Sequence, residues 1–518
     1  MPIPASLPQG TRVTAVSGGY GHSVALTSTG KVLAWGQNTE GQLGDGTFTN
    51  STVPVEVHLP AGVTVTAIDS GDDFVLALTS TGNVLAWGYN EWGQLGNGTT
   101  GVDSGVPVEV DLPQGTTATG ISAGAGHALA VTSTGDVLAW GDNDFGQLGD
   151  GTTTDHNVPI ETPIPADSGT VTQIAAGDDH SLALTATGKV LAWGYNAEGQ
   201  LGDGTTTTRR LPVETHIPAN VTVTSLAAGS GFQSFALTST GAVLAWGDNT
   251  YGQLGDGTNT RRTQPVEVLL PEGTVVTALD SGDDHTVALT STGRLLAWGD
   301  NTYGQLGDDT TTNSNVPVAV HLPEGTTAVA VGTGSYHSLA AAQGPSGTTT
   351  LTAAPTTTRP GEPVTLTATV TCTAGPPGGE VTFTDSNGAE IGTVAVNENG
   401  TATLTVSDLS EGTHTVTAHY SGDDRCPTST SEPVTVTVEA NHDGGHGNGS
   451  GNGNGDNGNG NGNVEGNGGD VNNNGGNNDN TVTGSGQNCS VTNSGTSLLT
   501  LASPSIVNCV NAPKNTSG

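Results

Sequence analysis

The residues with chemical capacity recur along this chain rather than clustering. Histidines stand at His22, His127, His180, His285 and His337, each at the start of an apolar run. A ring of imidazoles would suit a metal, but a metal needs a defined ligand set. The equivalent positions hold Phe74 and Gln233, so the histidines read as packing and hydrogen-bonding residues, and neither metal nor cofactor is expected. Paired acids at Asp72-Asp73, Asp178-Asp179 and Asp283-Asp284 would serve acid–base chemistry or offer calcium its oxygen ligands. Other copies carry Tyr20-Gly21, Ala125-Gly126 or Ser335-Tyr336 there, so the pairs read as a solvated turn. The Asp-Gly turns within Leu43 to Thr47 and Leu254 to Thr258 lack the acid spacing of a calcium loop and read as turn chemistry. A nucleophile elbow, a phosphate-cradling loop and zinc-type Cys/His spacing are all missing. Catalysis is not expected.

Binding residues are easier to find. Trp92, Phe145, Tyr251 and Tyr303 occupy one variable position, held in other copies by Glu40 and Glu198. Exposed aromatics carry much of the energy of interfaces, and the same rings would equally serve as local loop cores. Arg209-Arg210 and Arg261-Arg262 fall at matching places in adjacent copies and make the notable basic spots on an acidic chain. With 49 acidic residues against 11 Lys plus Arg, the net charge is -38. Such a surface repels phosphate backbones and anionic lipid, while it confers solubility or attracts cations and basic partners. No run approaches the length of a membrane-spanning helix, and no charged segment followed by an apolar one comes after Met1. Neither nucleic acid nor membrane insertion is expected.

These residues must be positioned by strands. Eighty glycines and one methionine disfavour helices and suit short strands with tight turns. Leu-Ala-Trp-Gly or its near copy recurs around Trp35, Trp87, Trp140, Trp193, Trp246 and Trp298, in steps of 52 or 53 residues, which marks a tandem structural unit. Each copy holds four short β-type segments. In the first these are Val13 to Val16, His22 to Thr27, Lys31 to Gly36 and Pro54 to Leu59. A short Ser28-Thr-Gly30 link joins the second to the third and a long polar loop joins the third to the fourth. Four antiparallel strands per unit is a propeller-blade pattern, and seven blades are expected. The first two strands occur a seventh time, at Ala328 to Val331 and His337 to Ala341, and Pro2 to Gly10 aligns with the fourth-strand region Pro107 to Gly115. The N-terminus would therefore close the ring and remove a strand edge. The seventh copy lacks its Leu-Ala-Trp-Gly strand. Either Thr348 to Thr352 substitutes, or this blade is thin.

The unit resembles the regulator of chromosome condensation repeat family, through Gly19-Tyr-Gly-His22, Trp35-Gly36, Asn38 and Gly41-Gln-Leu-Gly44 and their counterparts in the next five copies. The resemblance covers about residues 1–344 and implies a seven-bladed propeller. It also implies, as an alternative function, guanine-nucleotide exchange or GTPase regulation. Against that stand the even repeat lengths, with no inserted wedge, and the lack of a basic tail. Residues 348–439 alternate Thr and Val over short segments, the pattern of a β-sandwich, and resemble bacterial Ig-like domains through Gly379 to Thr384 and Gly412 to Asp423. Residues 441–488, almost wholly Gly, Asn and Asp, read as a disordered linker, and residues 489–518 as a small terminal segment, at most a β element at Ser497 to Ala502 closed by a disulfide between Cys489 and Cys509.

Cys372, Cys426, Cys489 and Cys509 all lie in the last third. An even count points to disulfides and an oxidising compartment, with free thiols as the alternative. The combined expectation is an all-β chain: a propeller, an Ig-like module and a disordered tail. It would act as a non-catalytic binding or adhesion scaffold for a protein or glycan partner, outside the cell or on its surface, the alternative location being the cytoplasm.

Overall fold

The computed structural model describes residues 2–440 except 9 and 424, together with the backbone of Leu498–Leu499. Among the described residues are seven four-stranded sheets and, after them, two further sheets. In blade one, Val13–Gly18, His22–Thr27, Val32–Gly36 and Ser51–Glu56 pair in sequence order, and five more sheets repeat that order. The first strands of the seven sheets touch their neighbours in turn, and the last of them, Thr327–Thr333, touches the first, so the ring closes. No helix among the described residues is long and apolar enough to cross a membrane.

Burial explains the sequence of each strand. Second strands such as His180–Thr185 and His285–Thr290 are buried along their whole length, because adjacent blades cover both faces, and they read as near-continuous apolar runs. Fourth strands such as Ser314–Ala319 are edges. They mix half-buried with exposed residues and carry a proline where no ladder partner is needed.

The Trp-Gly and Gly-Gln-Leu-Gly motifs fasten one blade to the next. Trp193 is 0% exposed, and its Nε1 donates to the main-chain carbonyl of Gln147 in the preceding blade at 2.8 Å. Trp87, Trp140, Trp246 and Trp298 repeat that bond. The glycine after each tryptophan is needed for its backbone: Gly194 has φ +99°, and a side chain there would strike the carbonyl of Asp179. The loop itself is folded by its asparagine. Asn143 Oδ1 accepts from the Leu148 amide at 3.0 Å, and its Nδ2 donates to Thr154 O at 3.0 Å.

The seventh sheet departs from the expectation. The strand Gly347–Ala354 does not complete it. That strand pairs with Val364–Cys372 in the Ig-like domain, because its alternating Thr and apolar residues match the half-buried face of a sandwich. The third strand of blade seven is instead Leu498–Leu499, lying between Ser338–Gln343 and Pro4–Ala5. The blade has all four strands, one of them from the chain's far end. The N-terminal strand does supply the fourth.

Residues from Gly347 to Val438 form a sandwich of two sheets around Leu366, Val370, Phe383, Val416 and Val436. Cys372 and Cys426 are both free thiols here. Burial first, and then the hydrogen bond with Cys372, pushes the Cys426 thiol up to about 12, so the two sulfurs are neighbours. Oxidant is expected to join them through the half-exposed Cys372, stabilising the sandwich by about 4 kcal/mol on the loop-entropy view. Alkylation mapped by mass spectrometry would then find both blocked unless reductant is added. Labelling of both after oxidation would refute the pairing. Cys489 and Cys509 lie outside the described residues, as do residues 441–488, expected above to be a disordered linker.

Candidate functional site

The link between first and second strands and the long loop after the third strand emerge on the same face of the ring. Their main chains are tied together, with the Gln37 amide donating to Gly21 O and the Tyr195 amide to Asp179 O. The paired acids and the variable aromatics therefore share one surface.

The acids of a pair have different roles. The second is a pin between blades: Gln42 Nε2 donates to Asp73 Oδ1 at 2.9 Å, Gln147 to Asp179 at 3.3 Å and Gln253 to Asp284 at 3.1 Å. The first acids, from blades two, four and six, come close enough at the mouth of the ring for their charges to act on one another. Burial first, then the charges of Asp283, Asp73 and Asp179, pushes the Asp72 carboxyl up to about 7. Burial, then Asp179, Asp72 and Asp283, pushes Asp178 up to about 8. Asp283 is also raised, by burial, against hydrogen bonds from Ser335 and Tyr336. The solvated turn expected from sequence holds only in part: these carboxylates are half-buried and feel one another. Below the mouth, the first strands leave an axial cavity of only about 50 Å³, lined by Asp69, Ser122, Gln173 and Ser281 among others. That volume holds water and excludes an organic ligand.

Aromatics surround the mouth. Tyr303 is 73% exposed and Trp92 38%, and Phe145 and Tyr251 are also exposed. Most of them lean on a second ring, edge on: Tyr89 against Trp92 at 5.3 Å, Tyr195 against Phe145 at 4.8 Å, Tyr336 against Tyr303 at 5.9 Å. Local packing and outward exposure therefore coexist. Tyr20 and Tyr336 also belong to this face, in contact at 5.6 Å, and were not singled out from sequence. Their signal was that they stand where other copies carry the acid pair.

The arginines are mostly committed to their own loops. Arg209 bonds Asp203 Oδ2 at 2.7 Å and Arg262 bonds Asp256 Oδ2 at 2.7 Å, while Arg261 reaches Glu198 of the neighbouring blade at 3.2 Å. Arg210 is exposed and lies over Gly146.

The histidines resemble a base beside a nucleophile. His127 Nε2 lies 2.9 Å from Ser181 Oγ and His180 Nε2 2.8 Å from Ser234 Oγ. Each serine, however, donates its own proton to a main-chain carbonyl, Ser181 to Gln147 O and Ser234 to Gln200 O. The imidazole must therefore donate through Nε2 and cannot accept the serine proton there. Both partners are 0% exposed, and burial holds each histidine down at about 3. These are inter-blade bonds. Among the described residues, one acidic group, Asp142, Asp144 and Asp155, brings carboxylate oxygens within 4.8 Å of one another. Two of the three carboxylates already accept main-chain amides, from Asp144 and Asn143, and nothing else there points to a cation.

The RCC1-like domain family matches residues 1–233 and 107–350, and the bacterial Ig-like domain (group 3) matches residues 350–439. The ultraviolet-B receptor UVR8 of Arabidopsis thaliana is 33% identical over 61% of this chain and 71% of its own. The secretion-regulating guanine nucleotide exchange factor of Mus musculus is 31% identical over 64% of this chain and 76% of its own. The human E3 ubiquitin-protein ligase HERC2 is 34% identical over 63% of this chain, which spans only 7% of HERC2. Human WBSCR16 superposes with a TM-score of 0.59 at 27% identity, over 64% of this chain and 87% of that one. Yeast RCC1 (Prp20) shares the fold, with a TM-score of 0.55 at 23% identity over 62% of this chain and 78% of its own. The inter-blade tryptophans, the asparagine-folded loops and these matches agree: the chain belongs to the RCC1-like domain family, and carries a bacterial Ig-like domain behind its propeller.

Proposed function

We propose that this chain is a non-catalytic binding ring that engages a protein partner through the acidic, aromatic-rimmed mouth, the partner presenting a lysine- or arginine-rich segment. The observation that carries this reading is the closeness of Asp72, Asp178 and Asp283 at a mouth too narrow below for a small ligand. Carboxylates held partly neutral by burial and mutual repulsion gain most from a cation that relieves both. The aromatic rim supplies apolar contact and cation–π faces to the same segment. A cell-surface or extracellular setting fits the Ig-like module and the neighbouring thiols.

The test is a binding titration with a labelled lysine-rich dodecapeptide, beside a glutamate-rich one and a glycan array. The lysine peptide is expected to bind, and Trp92→Ala and Tyr303→Ala each to weaken it about fivefold or more. Binding confined to glycans would overturn the cationic-protein reading. Accelerated nucleotide release from a GTPase would favour the exchange reading that the mouse relative's name supports.

A further inference from the structure

Among the described residues, blade seven is the one propeller blade whose third strand does not follow its second in the chain. After Ser338–Gln343 the chain passes directly into Gly347–Ala354 of the Ig-like domain, which leaves a slot one strand wide beside Pro4–Ala5. Leu498–Leu499 occupies it and pairs with both walls: Ala340 with Leu499 and Ala341 with Leu498 on one side, Pro4 with Leu499 and Ala5 with Leu498 on the other.

The register is that of an ordinary blade. In blade one Ala25 faces Leu33, Leu26 faces Val32, and Leu33 faces Glu56. Counting from His22 and His337, Ala340 corresponds to Ala25 and Ala341 to Leu26, so Leu498-Leu499 takes the places of Val32-Leu33. In sequence, Leu498-Leu-Thr-Leu-Ala502 lies over Leu295-Leu-Ala-Trp-Gly299 and shares its two leucines. The slot walls are apolar: Leu339, Ala340 and Ala342 are fully buried, and Ala5 and Leu7 pack against the same cluster. A second observation marks this seam. Trp35, which faces blade seven, is only half-buried, while the other five repeat tryptophans are fully buried. Blade seven has no Gly-Gln-Leu-Gly loop to cover it.

We infer that blade seven is a strand-acceptor site whose occupant is this chain's own C-terminal strand. Blade seven is then completed by two segments remote from it in sequence, Pro4–Ala5 and Leu498–Leu499. Connectivity permits this: the 57 residues from 441 to 497 reach up to roughly 190 Å when extended. Strand addition to a preformed edge draws on main-chain hydrogen bonds, with alternate side chains giving selectivity.

The test uses the full chain. In the variant Leu498→Asp/Leu499→Asp, deuterium exchange of segments covering Pro4–Ala5 and Ser338–Gln343 is expected to accelerate at least tenfold. Blades two to five should keep their protection, which shows that the ring is still folded. A synthetic peptide of residues 495–502, added in excess, should restore protection to the variant. Unchanged exchange in the variant, or loss that the peptide does not restore, overturns the assignment. Protection in the unsubstituted chain that appears only as a dimer forms would also overturn it, by giving the slot to a second copy.

Discussion

Trp193→Ala is expected to lower the unfolding free energy by about 3–5 kcal/mol, read as a shift of the denaturation midpoint at constant slope. The indole is 0% exposed, packs over Gly149 and bonds Gln147 O at 2.8 Å. Removing it opens a cavity and leaves that carbonyl with only the Ser181 hydroxyl. Trp35→Ala is the internal control. Its ring is half-buried at the seam with blade seven, so its loss should cost only about 1 kcal/mol. Equal costs at the two positions would contradict the assignment of the repeat tryptophans as inter-blade pins completed by the preceding Gly-Gln-Leu-Gly loop.

Replacing Asp72, Asp178 and Asp283 together by asparagine is expected to weaken the lysine-rich peptide by on the order of a hundredfold at pH 8, about 2.8 kcal/mol at 1.4 kcal/mol per tenfold, and to stabilise the fold there. The sign follows from the carboxyls. In the unfolded chain they ionise near 3.8, while in the fold Asp72 waits until about 7 and Asp178 until about 8. Protons are held more tightly by the folded state, so stability falls as pH rises from about 4 through 8 and then levels. The histidines act oppositely. Held near 3 by burial, they withdraw stability as pH falls below 6.5. The difference between wild type and the triple variant isolates the aspartates: the variant's melting temperature should exceed that of wild type at pH 8, and the gap should close towards pH 4. A gap that does not change with pH would contradict the closeness of these acids at the mouth. Loss of stability for the sake of a binding surface is a common trade in proteins.

The repeat made most of the fold legible. Six tryptophans at near-constant spacing give the blade, and a four-segment reading of one copy holds for all because every blade solves the same packing problem. The N-terminal strand was legible for the same reason, since Pro2 to Gly10 aligns with Pro107 to Gly115. Leu498–Leu499 was legible as part of a short apolar β element, but not as a strand of the ring. Two leucines separated from their partners by the whole Ig-like domain have no periodicity to betray them, and the intervening threonine-rich strand is a better local candidate. The roles of the paired acids were hidden by distance as well. What separates Asp73 from Asp72 is a glutamine 31 residues earlier, delivered by the ring's curvature rather than by the strand. Similarly, the rim was visible only where one position varied, at Trp92, Phe145, Tyr251 and Tyr303. Tyr20 and Tyr336 come from a different segment and join them only when the two loops meet on one face.

The most direct test of the binding mouth is the pH dependence of affinity for the lysine-rich dodecapeptide, measured by calorimetry at constant ionic strength. As Asp72 and Asp178 ionise between about pH 6 and 8, affinity should rise tenfold or more, protons should be released on binding, and the triple asparagine variant should show neither effect. An affinity that is flat across that range, with no proton release, would contradict the account.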